Sequence, residues 1–240
     1  MSGFLENPLV HNVLFSPFFG MVLSLVAYMI GAYFFKKTKS IFCNPLLIGI
    51  LLAILFMLAT DIPFEAYNQG GSILKMLISP VESVIIGVAL YEQLEILKKN
   101  WFPILLSSFI GSTFAIIVVY VLGKLIVLPQ DLLYATFPKS VTTAIALDIG
   151  SKFGWDGSLI TMMTVSTGII GAVVAPWITK FIKSPVARGL AIGTSSHAVG
   201  TSKAIEMGEI EGAMSGLGLS LAAIVTSFMV PVILTILHVI

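Results

Sequence analysis

About six stretches of this chain are apolar for roughly the length a helix needs to cross a lipid bilayer, and its charges collect in the short intervals between them. The stretches are 15–35, 45–59, 73–91, 101–122, 159–181 and 217–240. A hydrocarbon core of about 30 Å takes roughly 20 residues at helical rise, and lipid offers no partner to a free backbone amide, so such runs fold as spanning helices. The second run is short and starts at Pro45, a residue suited to a first helical turn. The third holds Pro80 and Glu82 inside an otherwise apolar segment. Asp61, Glu65, Asn68 and Gly70-Gly71 read as the loop before it. Trp101, which opens the fourth, suits a headgroup interface.

Composition then removes whole classes of function. With 57% hydrophobic and 10% charged residues and a mean hydropathy of +1.03, the chain lacks the polar residues a water-soluble domain needs for its shell. Thirteen Lys and Arg against twelve carboxylates leave a net charge of +1, too little basic field for nucleic acid. One cysteine, Cys43, excludes a disulfide framework or a cysteine-rich metal site, and three histidines are few for a metal cage. No cofactor, metal or nucleic-acid partner is expected. The N-terminal residues carry Glu6 and no basic residue, so the first apolar run is read as a retained anchor and not a cleaved signal.

Two stretches, 130–158 and 184–215, are long enough for a helix pair yet rich in Gly, Ser and Thr, and they read as broken helices or re-entrant hairpins. Lys and Arg favour cytoplasmic loops. Lys36, Lys37 and Lys39 after the first run, and Lys98 and Lys99 after the third, put the N-terminus outside. A single crossing by 130–158 would leave Lys180, Lys183 and Arg188 outside. A re-entrant hairpin there places that cluster inside, sends a second hairpin in from the cytoplasm, and leaves the C-terminus outside. The re-entrant topology satisfies the rule.

The polar stretches also echo one another. Thr143, Ala146, Asp148 and Gly150 recur as Thr201, Ala204, Glu206 and Gly208 at one constant offset, and Pro176-x-Ile178 recurs as Pro231-x-Ile233. The candidate repeats are 130–181 and 184–240 of a single membrane domain. With one hairpin and one span per copy they are inverted, an arrangement from which many carriers build a midplane site. The other reading is that small residues recur because helix packing in lipid favours them.

Ionisable groups in hydrocarbon are costly, so Glu82, Lys139, Asp148, Lys203 and Glu206 need a reason. Glu82 is either a proton carrier or half of a structural ion pair. Asp148 is either a coupling group or a solvated interfacial carboxylate. Pro138-Lys139-Ser140-Val141-Thr142-Thr143 joins a helix-starting proline, a cation and hydroxyls, the elements of an anion site at a helix N-terminus, where a small carboxylate fits. The same hydroxyls also serve as caps. The densest polar run is 193–203, with Thr194, Ser195, Ser196, His197, Gly200, Thr201 and Lys203. On an unbroken helix Thr194, His197 and Thr201 share a face. His197 is either a proton carrier or a hydrogen-bonded structural residue. Ser202, Glu206 and Glu209 form another face, and Glu206, Glu209 and Glu211 together read equally as a solvated hairpin mouth. No Gly-x-Ser-x-Gly elbow and no His-Glu-x-x-His helix occurs, so the chain is not read as an enzyme.

Pro138-Lys139-Ser140-Val141-Thr142-Thr143, the run from Arg188 through His197 to Ala204, and then Glu206, Glu209, Gly212, Ala213 and Ser215 resemble the LrgB/CidB family, as do Asn44-Pro45-Leu46-Leu47 and Tyr67-x-x-Gly70-Gly71. The resemblance covers nearly the whole chain. It implies a multi-pass protein of the bacterial cytoplasmic membrane, paired with a small LrgA/CidA-type membrane protein. It also implies either a holin/antiholin-like role in murein hydrolase regulation, autolysis and cytolysis, or carriage of small monocarboxylates of the pyruvate, glycolate or lactate kind, since related proteins, a plastid member included, look like carriers of glycolate, glycerate and pyruvate.

The expectation is therefore an all-α polytopic protein of about six transmembrane helices and two polar hairpins. Lys139, Ser140, Thr142, Thr143, Thr194, Ser195, Ser196, His197, Gly200, Thr201 and Lys203 are the candidate substrate contacts. Glu82, Asp148, His197 and Glu206 are candidates for coupling a proton or cation. Gly20, Gly31, Gly49 and Gly168-x-x-Gly171 mark close helix contacts, within the chain or with a partner, a second copy included.

Overall fold

The structure, a computed structural model, describes residues 8–38 and 44–237, with the backbone only at 9, 75, 77–83, 85–87 and 89–90. Lys39 and the Glu82 side chain lie outside what is described. The described residues form helices and no strands: α1 (Pro8–Leu14), α2 (Pro17–Thr38), α3 (Pro45–Thr60), α4 (Phe64–Glu92), α5 (Leu94–Lys99), α6 (Trp101–Leu125), α7 (Gln130–Thr136), α8 (Thr143–Lys152), α9 (Gly157–Thr179), α10 (Pro185–Met207) and α11 (Glu209–Ile236). A helix lies on each of the six apolar stretches. Helices α2, α6, α9 and α11 are each long and apolar enough to cross a membrane, α3 is a shorter apolar helix of 16 residues, and α4 runs for 29.

Local chemistry sets the helix ends. The Asn44 carboxamide oxygen accepts from the amides of Leu46 (2.9 Å) and Leu47 (3.3 Å), with Pro45 in the first turn. Asp156 caps α9 in the same way through Ser158 and Leu159. Ser184 caps α10, followed by Pro185.

The chain divides into two compact units, residues 1–81 and 82–240. In the first unit α2 packs on α3 and on the start of α4. The close approach of α4 to α2 requires glycine: a Cβ on Gly70 would meet the Met21 amide nitrogen at 2.6 Å and one on Gly20 would strike the Tyr67 carbonyl. Ser24 Oγ and the Tyr67 hydroxyl share a hydrogen bond of 2.9 Å across the same contact. This corrects the reading of Glu65, Asn68 and Gly70-Gly71 as loop. The break is confined to 61–63, and both glycines are helical, Gly70 pressed against the backbone of α2.

In the second unit both polar stretches fold back on themselves. Helices α7 and α8 form the first hairpin: Leu133 and Ile149 share one core, and Tyr134 of α7 stacks on Trp155, just beyond α8, at 5.6 Å between ring centroids. Its tip is 137–142. The ten residues of α8 extend about 15 Å and the seven of α7 less, each arm too short to cross a bilayer core of about 30 Å alone.

The second hairpin is α10 itself, broken at Ser196 (φ −133°, ψ 15°) and His197 (φ 42°, ψ −146°). Eight residues of unbroken helix would separate Ile192 from Gly200 by about 12 Å. Instead a Cβ on Gly200 would lie 3.2 Å from Ile192 Cγ2 and 3.5 Å from the Ile192 carbonyl oxygen. The arms, 185–195 and 198–207, therefore run antiparallel.

The hairpins enter from opposite ends of α9. Near the start of α9, Ile160 shares a core with Ala135, Val141 and Ala146 of the first hairpin. Near its end, Ala175 shares one with Ile192 and Ala204 of the second. The two tips face each other at the middle. Helix α11 lies along both: Val230, Ile233 and Leu234 join the core of the first hairpin, while Met214, Leu217 and Leu221 pack with Leu190 of the second and Ile104 of α6.

Candidate functional site

The tip of the first hairpin is buried. Phe137, Ser140, Val141 and Thr142 are each at most 6% exposed, and Lys139 is half-buried beside them, with no ion pair among the described residues. Thr142 stands at the N-cap of α8 but its side chain makes no capping bond, and its Oγ1 is buried without a partner among the described residues. An uncapped helix start with a free hydroxyl attracts negative charge. Thr143 opens the helix, partly buried.

The tip of the second hairpin is held by α9. His197 Nε2 donates to the Thr164 carbonyl oxygen at 2.8 Å, and the ring is 3% exposed. A positive φ is strained for a residue with a Cβ, and this hydrogen bond is one contact that holds it. Glycines give the tip its room: a Cβ on Gly168 would strike the His197 ring, and one on Gly171 would strike Ser196. The Gly168-x-x-Gly171 pair thus serves a contact within the chain. Ser195 Oγ donates to the Ala191 carbonyl at 2.8 Å and lies 3.0 Å from Ser196 Oγ.

Between the tips lies a cavity of about 500 Å³ whose wall includes Lys139 from the first hairpin, Ser195 and Ser196 from the second, and Thr167 and Gly171 from α9. It extends past Ile178 and Thr179 to Ile182, at the end of α9. A second, larger cavity of about 830 Å³ lies on the other side of the first arm of α10, against α6, and includes Thr194 and Ser195 in its wall.

The remaining candidates are placed elsewhere. The break at Ser196–His197 removes the shared face expected for Thr194, His197 and Thr201, because Thr194 belongs to the opposite arm. Thr201 Oγ1 donates to the His197 carbonyl at 2.9 Å and shares a second bond of 2.9 Å with Ser215 Oγ of α11. Gly200 is buried against Ser196. Lys203 pairs with Glu206 at 2.7 Å toward the open end of the hairpin. Asp148 is exposed and pairs with Lys152 at 3.0 Å, as an interfacial carboxylate does.

Two features escaped sequence reasoning. Thr167 enters the cavity wall from a helix read as a plain span. Glu211, read with the solvated mouth, is 6% exposed and pairs with Arg188 at 2.8 Å. The reversal of α10 brings the two together, and no local spacing announces it.

The family model described as the LrgB-like family matches residues 24–236. Proteins named "Antiholin-like protein LrgB" from Bacillus mycoides, Bacillus cereus and Bacillus anthracis are each 36% identical over 219 residues, which is 90% of this chain and 95% of theirs. No solved structure matches. The apolar helices and these bacterial relatives make this a multi-pass bacterial membrane protein. A match over most of its length and relatives at this identity place the chain in the LrgB-like family.

Proposed function

We propose that this protein has the antiholin-like role carried in its relatives' names, and that it exerts this role by moving small monocarboxylates across the membrane. The names favour the antiholin-like role. One observation supports transport as its mechanism: Lys139, Ser195 and Ser196 line one cavity between two half-membrane hairpins that approach from opposite ends of α9. A cation and two hydroxyls in its wall are complementary to a carboxylate, while Ser140, Thr142, Thr143 and His197 lie at the tips outside that wall, and the volume leaves room for a small carboxylate together with water. A wide pore needs a continuous polar face, whereas the polar side chains here converge on two tips. Autolysis then responds to carboxylate flux. An LrgA/CidA-type protein is the proposed partner, and a proton or cation the proposed coupling species. The protein is proposed to be a carrier without enzymatic activity.

The test is reconstitution into liposomes, with and without an LrgA-type protein, following labelled pyruvate, glycolate and lactate together with release of a trapped bulky dye. Saturable uptake without dye loss is expected. Dye release without saturable uptake would instead identify a pore, and absence of both would remove transport from the reading.

A further inference from the structure

The cavity between the tips has unlike ends. Toward the end of α9 it continues along Ile178 and Thr179 to Ile182, beside Lys180 and Lys183. Toward the start of α9 the first hairpin is filled by aromatic rings. Phe137, the first residue of the tip and two before Lys139, is 2% exposed and packs against three of them: Tyr120 of α6 at 6.4 Å, Tyr134 of α7 at 6.2 Å and Trp155 at 6.0 Å between centroids. Phe153 stacks on Trp155 at 4.9 Å. Ile116, Val230, Ile233 and Leu234 close the cluster from α6 and α11.

We infer that the Phe137–Trp155 ring cluster is the outer gate of the site, and that this structure is the state open toward the Lys180–Lys183 loop. The chain itself links gate and site, because Phe137 and Lys139 lie on one short non-helical tip. A shift of the tip that withdraws Phe137 from Tyr120, Tyr134 and Trp155 opens a path toward the mouth of the first hairpin and moves the Lys139 ammonium in the same step. Ring–ring contacts suit such a gate: each contributes modestly and has several packing geometries of similar energy. No ring of the cluster is assigned substrate contact. The inference rests on the proposed site at the tips, but its test reads access and needs no transport, so a failure of uptake leaves it readable.

The experiment uses the full chain with Cys43→Ala and a reporter Ser195→Cys in the cavity wall, in right-side-out and inside-out vesicles, labelled with a small membrane-impermeant methanethiosulfonate. The parent should be labelled from the side of the Lys180–Lys183 loop and protected from the other. Phe137→Ala should raise labelling from the protected side by roughly tenfold or more, because it promotes an open state otherwise populated at the per-cent level or below. Trp155→Ala, a partly exposed ring whose loss disturbs the core less, is the second variant, and membrane insertion is verified for both. A rise in either inserted variant supports the gate. Unchanged protection in both, or a parent labelled from the first-hairpin side or from neither side, overturns it.

Discussion

Lys139 and Gly171 meet the same cavity for opposite reasons. Lys139 brings charge to a place where charge is costly, and its half-buried position without a carboxylate partner among the described residues is what a bound anion would stabilise. Lys139→Ala should lower uptake by more than about tenfold, the loss of one charge-assisted contact, with Lys139→Arg retaining a measurable fraction in the same vesicle assay. Gly171 contributes only absence of bulk. Gly171→Ala forces a methyl into Ser196, so it should lower thermal stability in detergent by about 1–3 kcal/mol and abolish uptake, and an unchanged melting profile would sink that account. Both residues were legible in sequence, one as an intramembrane cation and the other as half of a Gly-x-x-Gly pair. The partner of the pair was not, because close approach depends on where the chain later reverses.

The helices were legible where one physical rule dominates. Hydropathy located the spans because lipid leaves the backbone no alternative to an internal hydrogen-bond ladder, and Pro45 marked a helix start, whereas Pro138, read as helix-starting, lies in the non-helical tip five residues before α8 begins at Thr143. Where small residues replace apolar ones the signal inverts: Gly70-Gly71 looked like a loop and lies within α4, where Gly70 is pressed on α2. The reversal inside α10 was legible as a break and not as a position, since Ser196 and His197 carry no mark that Thr194 or Thr201 lacks. The pairing of Arg188 with Glu211 follows from that reversal and from the turn at Gly208. Arg188→Ala leaves a buried carboxylate unpaired and should cost about 3–5 kcal/mol in thermal unfolding, while the double change Arg188→Met with Glu211→Leu should recover most of it. A double mutant as unstable as the single one would show that the ion pair is not what joins α10 to α11.

For the second unit as a whole, the decisive geometry is that the hairpins point at one another from opposite ends of α9. In a Cys43→Ala background, cysteines at Lys152 and Lys183 should then react with an impermeant reagent from opposite faces of the membrane, the latter from the cytoplasm. Labelling of both from one face would overturn the re-entrant topology. The re-entrant expectation drawn from charge counting fits hairpins that enter from opposite ends of α9, and the side on which Lys180, Lys183 and Arg188 lie is what this labelling reads. Charge counting did not anticipate that the tips converge on the Thr164–Gly171 stretch of α9, a matter of packing that no loop charge records.

Helix α11 is the last of the described helices to leave the ribosome, and both hairpins depend on it. Its first half carries Ser215, which meets Thr201, and Glu211, which meets Arg188; its second half supplies Val230, Ile233 and Leu234 to the first hairpin. Until it is synthesised, the hairpins have α6 and α9 to pack against but lack the contacts that Glu211, Ser215, Val230, Ile233 and Leu234 supply. A chain stalled on the ribosome ahead of α11 is therefore expected to carry its earlier spans with both hairpins incompletely packed, so that final seating of the two tips follows the last helix and not the order of the sequence.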